Sequence, residues 1–134
     1  MITKDDILNY IQRRQERIKD ERFSKPIFQI FLFENADKEL IYENDGKKKN
    51  SGFPDTGCIG DFGFYYDIDQ AIEALNTNAA DIHECVYDAG FILVKFPGLY
   101  DSCSSSERMY FRWDSEKEGF FEAEEPEIFS HVAY

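Results

Sequence analysis

The sequence predicts a single α+β domain over residues 1–134, with a mostly antiparallel sheet of about five or six strands. The chain has 134 residues, of which 43% are hydrophobic and 16% aromatic, enough to bury a core. Several short apolar segments are separated by turn residues, as in a sheet. Only residues 3–22 and 68–76 have apolar side chains at helical spacing. These segments predict an N-terminal helix and one central helix packed on the sheet.

Residues 3–22 are predicted to form the first helix. Thr3 suits the N-cap, and the two aspartates of the first turn suit the positive end of the helix dipole. Arg14 falls by angle within the apolar stripe of this helix. Its position favours either a buried stem with the charged head in water, or a contact with a phosphate or carboxylate. Pro26 prevents the helix from extending further.

A hairpin and a long loop are expected next. Ile27–Glu34 is apolar on both faces, which predicts a central strand. Residues 35–38 have turn chemistry, and residues 39–43 are expected to return as a second strand. Residues 44–57 are rich in Gly, Asn, Asp and Lys and are expected to form a loop of about 14 residues. Three consecutive lysines make it the most basic point of the chain, which we interpret as a solvated tip.

The segment from Gly60 to Gly98 is expected to organise the fold as strand, helix and strand. Phe62, Phe64 and Tyr66 alternate with other residues, which predicts that these three share one face of a strand. Asp67 suits the N-cap of the central helix, and Gln70 completes a capping-box pattern.

Residues 89–96 are expected to form the strand that follows the central helix. The unit could be a parallel crossover or an antiparallel sheet with one helix on its face. The short helix and the neighbouring hairpins favour the second arrangement.

A terminal hairpin is predicted from Arg108–Asp114 and residues 120–124, joined by a five-residue loop. This loop places Trp113 opposite Phe121 and makes Phe121 part of the apolar face. A one-residue shift would mix aromatic and acidic residues on both faces. The polar face is then expected to hold Arg108, Tyr110, Arg112, Phe120, Glu122 and Glu124.

Charge is unevenly distributed along the chain, whose formal net charge is -12. Residues 1–50 hold 11 basic and 10 acidic residues, whereas residues 51–134 hold 4 and 17. This excess of acid argues against direct binding of nucleic acid, because phosphates require basic neutralisation. The natural counterpart is a basic protein surface or a metal ion, and the plain alternative is solubility.

The sequence predicts a cytoplasmic protein. No apolar run approaches the roughly 18 residues of a membrane span, and the N-terminal residues lack the pattern of a signal peptide. The three cysteines, Cys58, Cys85 and Cys103, are odd in number and lack C-x-x-C spacing. We expect three thiols that form no disulfide and bind no metal.

Catalytic signatures are weak. The three glycines near residue 60 lack the spacing and the lysine of a phosphate-binding loop. His83 and His131 lie far apart, and no histidine or cysteine spacing is typical of a zinc site. Asp67 and Asp69 could bind a hard cation, but a helix cap explains Asp67 better. We therefore predict no catalytic residue, cofactor or metal, and the sequence favours a protein that is not an enzyme.

Two functional hypotheses follow. The first is a non-enzymatic acidic module that binds a basic protein surface, in the manner of phage and mobile-element inhibitors that imitate the charge of DNA. That likeness is one of class and not of residues. Its partner-binding residues are predicted to be Glu122, Glu124, Glu125, Glu127, Asp114 and Glu116. The second is a small ligand-binding domain or enzyme whose pocket is lined by Tyr65, Tyr66, Tyr87, Tyr100 and Arg108.

Overall fold

A computed structural model describes residues 1–34, 59–78, 83, 87–98 and 108–125. Over these ranges the strands form one sheet in the order β2-β1-β3-β4-β5, and all neighbouring strands are antiparallel. The predicted α+β class is confirmed. The elements are α1 (Lys4–Gln15), β1 (Ile27–Glu34), β2 (Ile59–Tyr65), α2 (Ile68–Thr77), β3 (Tyr87–Lys95), β4 (Arg108–Asp114) and β5 (Gly119–Glu122).

Helix α1 begins as predicted and ends early. Thr3 is its N-cap, and its hydroxyl and backbone N–H exchange hydrogen bonds with Asp6 in a capping box. The helix ends at Gln15, so the prediction of a helix to residue 22 was wrong. A short 3-10 turn follows, where the carboxylate of Asp20 accepts a hydrogen bond from the backbone N–H of Arg22. Such a local bond offers the backbone an alternative to the α-helix.

Strand β1 lies inside the sheet, hydrogen-bonded to β2 on one side and to β3 on the other, as the sequence predicted. Because β2 and β3 are both antiparallel to β1, they run parallel to each other. Helix α2 connects these two strands and contacts β1 and β2. Each of the two predicted arrangements is therefore correct in part. The sheet is antiparallel, and β2, α2 and β3 form a crossover between two parallel strands with β1 between them.

A β-bulge in β2 overturns the predicted alternation of its aromatic residues. Gly63 has a φ of +83°, a conformation that glycine adopts without steric cost, and the pairing with β1 shifts by one residue there. Phe62 and Tyr65 consequently pack on the core. Phe64 and Tyr66 are 51% and 78% exposed and contact each other edge to face, with ring centroids 5.6 Å apart.

The main core lies between the sheet and the two helices. Asp67 caps α2, but its carboxylate accepts from the N–H of Asp69, and the predicted capping box with Gln70 is not formed. The core side chains are Ile7, Ile11, Phe28, Ile30, Leu32, Ile68, Ala71, Ala74, Leu75, Ile92, Val94, Phe96, Met109, Phe111 and Phe120.

The opposite face of the sheet is also buried near its centre. Phe91 lies between Phe33 and Tyr110, with ring centroids 5.3 Å from each. Arg108 lies on the same face, and its guanidinium carbon is 4.6 Å from the centroid of the Phe91 ring. Helices α1 and α2 both lie on the other face, so β3 and β4 bury side chains on both sides.

The terminal hairpin has a different register from the predicted one. Trp113 pairs with Phe120, and Arg112 pairs with Phe121. Phe120 is buried in the core, whereas Phe121 is only half-buried on the opposite face. The prediction that Phe121 joins the apolar face and that Phe120 and Glu122 join Arg112 was wrong, because Glu122 pairs with Phe111.

The loop of the hairpin explains this shift. The carboxylate of Asp114 accepts hydrogen bonds from the backbone N–H groups of Glu116 and Lys117, at 2.9 and 3.1 Å. Glu118 then adopts a left-handed φ of +54°. This turn takes up four residues, 115–118, and Gly119 pairs directly with Asp114. One residue fewer in the loop moves every later side chain to the other face.

Several predictions lie outside the described residues. They concern the turn at 35–38, the strand at 39–43, the loop at 44–57 and His131. The three cysteines, Cys58, Cys85 and Cys103, also lie there. Among the described residues, no helix is long and apolar enough to span a lipid bilayer.

Candidate functional site

The β4–β5 hairpin has exposed carboxylates close to an aromatic side chain. Between residues 109 and 124 the sequence has five acidic and two basic residues. Glu116, Glu122 and Glu124 are exposed, and we call these three the hairpin carboxylates. They belong to the set predicted to bind a partner. Glu127, another member, lies outside the described residues.

Asp114 belongs to the same predicted set but has a structural role. It is half-buried, and its carboxylate holds the hairpin loop by accepting the two backbone hydrogen bonds described above. An aspartate that bonds to backbone N–H groups two and three residues later stabilises the turn. This role fixes the position of Glu116 relative to β4.

Glu125 is not a surface carboxylate, contrary to the sequence prediction. Its side chain is only 15% exposed, and Arg108, its partner, is fully buried. Nε and Nη2 of Arg108 donate to the two carboxylate oxygens of Glu125, at 2.8 and 3.0 Å. A bidentate pair of this kind combines charge attraction with geometric constraint. The prediction that Arg108 lies on an exposed face was also wrong, because its side chain is fully buried.

The alternative pocket is not assembled by the described residues. Tyr65 and Tyr87 pack on the helix-facing core but at opposite ends of β1, because Tyr65 pairs with Phe28 and Tyr87 pairs with Glu34. Arg108 lies on the opposite face of β4, which β1 and β3 separate from β2. Tyr66 is exposed, and Tyr100 lies outside the described residues. These four described side chains therefore do not converge.

A cleft of about 480 Å³ lies where the C-terminal end of α2 meets the β4–β5 hairpin. Sequence reasoning did not find it, because its residues come from three separate segments. We call it the Trp113 cleft, and the described residues that line it are Asn76, Thr77, Asn78, His83, Trp113 and Glu118.

His83 forms one wall of the Trp113 cleft. Its Nε2 lies 2.6 Å from the carbonyl oxygen of Leu75 and 3.2 Å from the backbone nitrogen of Asn78, so the ring contacts both a carbonyl and an N–H group at the end of α2. The backbone N–H of His83 donates to Oδ1 of Asn78, which is the left-handed C-cap of α2. His83 thus completes the end of the helix, where orphan carbonyls need donors. The sequence signal was an asparagine cap followed by a histidine.

Trp113 links the cleft to the hairpin carboxylates. Its ring contacts His83 and Phe120 edge to face, at centroid distances of 5.0 and 5.3 Å. Trp113 also lines a second depression, together with Arg112, Asp114, Ser115, Glu116, Phe121, Glu122 and Ala123. A half-buried tryptophan thus lines two depressions, and each of them contains at least one carboxylate.

The described residues contain no group of three or more histidine, cysteine, aspartate or glutamate side chains arranged to hold a metal ion. Comparison with protein-family models, with curated proteins and with solved structures finds no match to this chain. Function must therefore be argued from the site alone.

Proposed function

We propose that this protein is a non-enzymatic binding module that docks the β4–β5 hairpin onto a basic protein surface. The observation that carries the proposal is the exposure of Glu116, Glu122 and Glu124, of which Glu116 and Glu122 line a depression together with the half-buried Trp113. Tryptophan is enriched among the residues that dominate binding energy at protein interfaces. Carboxylates at the rim of such an anchor steer a basic partner towards it.

Two of the predicted partner-binding residues, Glu125 and Asp114, are not part of this proposal. Glu125 is neutralised within the protein by Arg108, and Asp114 is engaged in its own loop. The surface available to a partner is therefore the three hairpin carboxylates, two of which, Glu116 and Glu122, share a depression with Trp113. Their geometry is supported by rigid elements, since β4 is paired on both sides and β5 packs against α2.

The basic surface is proposed to belong to a protein that binds nucleic acid. Carboxylates two residues apart along an extended chain are about 6–7 Å apart. This is comparable to the spacing of phosphates along one strand of nucleic acid. Glu122 and Glu124 have this separation in sequence and are both exposed. A groove built for phosphates would accept such carboxylates, and the module would act as an inhibitor by occupying it.

Affinity capture with a charge-matched pair of variants tests the proposal. The test variant carries Glu116→Gln, Glu122→Gln and Glu124→Gln. The control carries Glu16→Gln, Glu21→Gln and Glu73→Gln, which are exposed positions at the C-cap of α1, in the 3-10 turn and on α2. The two variants have the same net charge, so a difference between them reports position and not total charge.

Capture from extracts of the source organism should yield one or more basic proteins with the wild type and the control, but not with the test variant. Capture should weaken at about 1 M salt, where the Debye length is about 3 Å. Duplex DNA should compete with the module for the captured protein. Equal capture by both variants would show that the hairpin carboxylates serve only solubility.

A further inference from the structure

The Trp113 cleft has the chemistry of a receptor for a cationic side chain. Within the described part of the chain, Glu118 is its acidic lining residue, and the rings of Trp113 and His83 also line it. It opens at the C-terminal end of α2, where the helix dipole places a partial negative charge. A cation over the face of a tryptophan is attracted by the ring quadrupole. All three features favour positive charge.

Asn76 supplies an independent observation that points to a hydrogen-bond donor. Within the described part of the chain, its Oδ1 is buried and has no hydrogen-bond partner. Buried acceptors are nearly always satisfied in folded proteins, so this one needs an explanation. Asn76 also lines the cleft, and the terminal torsion of an asparagine has a broad energy well. A donor that enters the cleft can therefore be met by a rotation of this amide.

We infer that the Trp113 cleft binds the guanidinium group of an arginine on the partner protein. A guanidinium is planar, stacks on aromatic rings and presents several donors at once. It can face Trp113 while donating to Glu118 and to Asn76. An ammonium group has the charge but lacks the planar stacking surface. This inference rests on the proposed function, because it assigns the anchor of the same basic partner.

Because Trp113 is the sole tryptophan of the chain, its indole N–H gives one signal in a nitrogen-15 NMR spectrum. The probe is the peptide acetyl-Gly-Arg-Gly-amide, added to the full chain. The same peptide with citrulline is the control, because citrulline keeps the shape and loses the charge. Saturable shifts of the Trp113 indole and Asn76 amide signals are expected with arginine and not with citrulline, and the lysine peptide should bind more weakly.

Two variants test the contacts. Glu118→Gln should weaken arginine binding about fivefold, as expected for loss of a unit charge about 4 Å away in a water-like dielectric. Asn76→Ala should weaken it roughly tenfold, as for loss of a hydrogen bond to a charged group. Glu21→Gln, at an exposed position of the 3-10 turn, is the control and should bind like the wild type. Thermal unfolding of each variant confirms that it is folded.

The inference is overturned if the arginine peptide causes no saturable shift, if citrulline binds equally, or if Asn76→Ala binds as tightly as the wild type. Its failure is distinguishable from failure of the proposed function. If the hairpin variant loses capture but the peptide does not bind the cleft, the proposed docking surface is supported and the arginine site is refuted. If the peptide binds but both hairpin and control variants are captured equally, the arginine site is supported and the proposed docking surface is refuted.

Discussion

Arg108 and Glu125 are 17 residues apart in sequence and form a bidentate ion pair on the face of the sheet opposite the helices. The guanidinium is fully buried and also lies over the ring of Phe91. The pair ties the segment after β5 to the start of β4. An uncompensated charge at Arg108 would be costly, so Glu125 belongs to the core and not to the surface.

Glu125→Gln should lower the free energy of unfolding by about 3–5 kcal/mol, because it leaves the buried guanidinium of Arg108 without its counter-charge. Glu124→Gln, one residue earlier and exposed, should change it by less than about 0.5 kcal/mol. Urea denaturation of the two variants measures the difference. Similar midpoints would mean that the ion pair is not maintained in solution. Replacing both partners, with Arg108→Met and Glu125→Leu, should recover most of the loss.

The register of the terminal hairpin is tested by two adjacent phenylalanines. Phe120→Ala should cost about 3–5 kcal/mol of stability, because it opens a cavity beside Trp113 and His83 in the main core. Phe121→Ala should cost only about 1 kcal/mol, because that ring is half exposed and contacts Lys117 at the surface. Thermal or denaturant unfolding gives both values. A larger loss for Phe121→Ala than for Phe120→Ala would instead support the register expected from sequence.

Gly90 lets β1 and β3 approach closely. A Cβ atom at this position would lie 2.4 Å from Cδ2 of Leu32 and 2.6 Å from the backbone oxygen of Phe31. Gly90→Ala should therefore destabilise the protein by about 3 kcal/mol, because the backbone oxygen cannot move aside without breaking the sheet.

Gly60→Ala is the matched comparison for Gly90→Ala. Its Cβ would meet the ends of the Phe62 and Tyr87 side chains, both at 2.6 Å. Side-chain ends can rotate away, so this substitution should cost only about 1 kcal/mol. Chemical denaturation of the two variants ranks them. An equal cost would show that the strands separate easily at Gly90.

The capping box of α1 predicts a particular dependence on pH. Hydrogen bonds from the backbone N–H and then the hydroxyl of Thr3 hold the pKa of Asp6 below its ordinary value of 3.8. A carboxylate with a lowered pKa in the folded state stabilises the fold above its unfolded pKa, and this contribution is lost as the pH falls through the folded pKa.

Asp6→Asn removes that charge and keeps a side chain that can accept hydrogen bonds. The stability difference between wild type and Asp6→Asn should be constant from pH 7 to pH 5 and should shrink only below about pH 4. Asp5→Asn, in the same turn but outside the capping box, serves as the comparison. A difference that already declines between pH 7 and pH 5 would contradict a lowered pKa at Asp6.

Local signals in the sequence located most of the secondary structure. The Thr3 cap, the Asp67 cap and the doubly apolar pattern of Ile27–Glu34 each depend on neighbouring residues, and each was predicted correctly. Strand β4 was predicted with its observed bounds. The errors arose where one inserted or missing residue shifts the register of the rest of a strand. The bulge at Gly63 and the turn held by Asp114 each reverse which side chains face the core.

The candidate site was predictable only in part. Glu116, Glu122 and Glu124 were expected at the surface because of their charge, and all three are exposed. The alternation expected for this strand was wrong, because Glu122 pairs with Phe111 and not with Arg112. The low exposure of Glu125 could not be predicted in the same way, because it depends on an ion pair with Arg108, which is distant in sequence and buried. The Trp113 cleft was also missed, because it is made where Asn76, His83 and Trp113 meet from separate segments.

The sequence by itself determined the α+β class, the caps that begin both helices, the interior position of β1 and the acidity of the second half of the chain. These properties follow from local propensity, periodicity and composition. Only the tertiary structure decided the strand order, the register of the hairpin, the burial of Arg108 with Glu125 and the position of His83 at the end of α2. These depend on contacts between residues far apart in the chain, and such contacts leave no periodic signal in a single sequence.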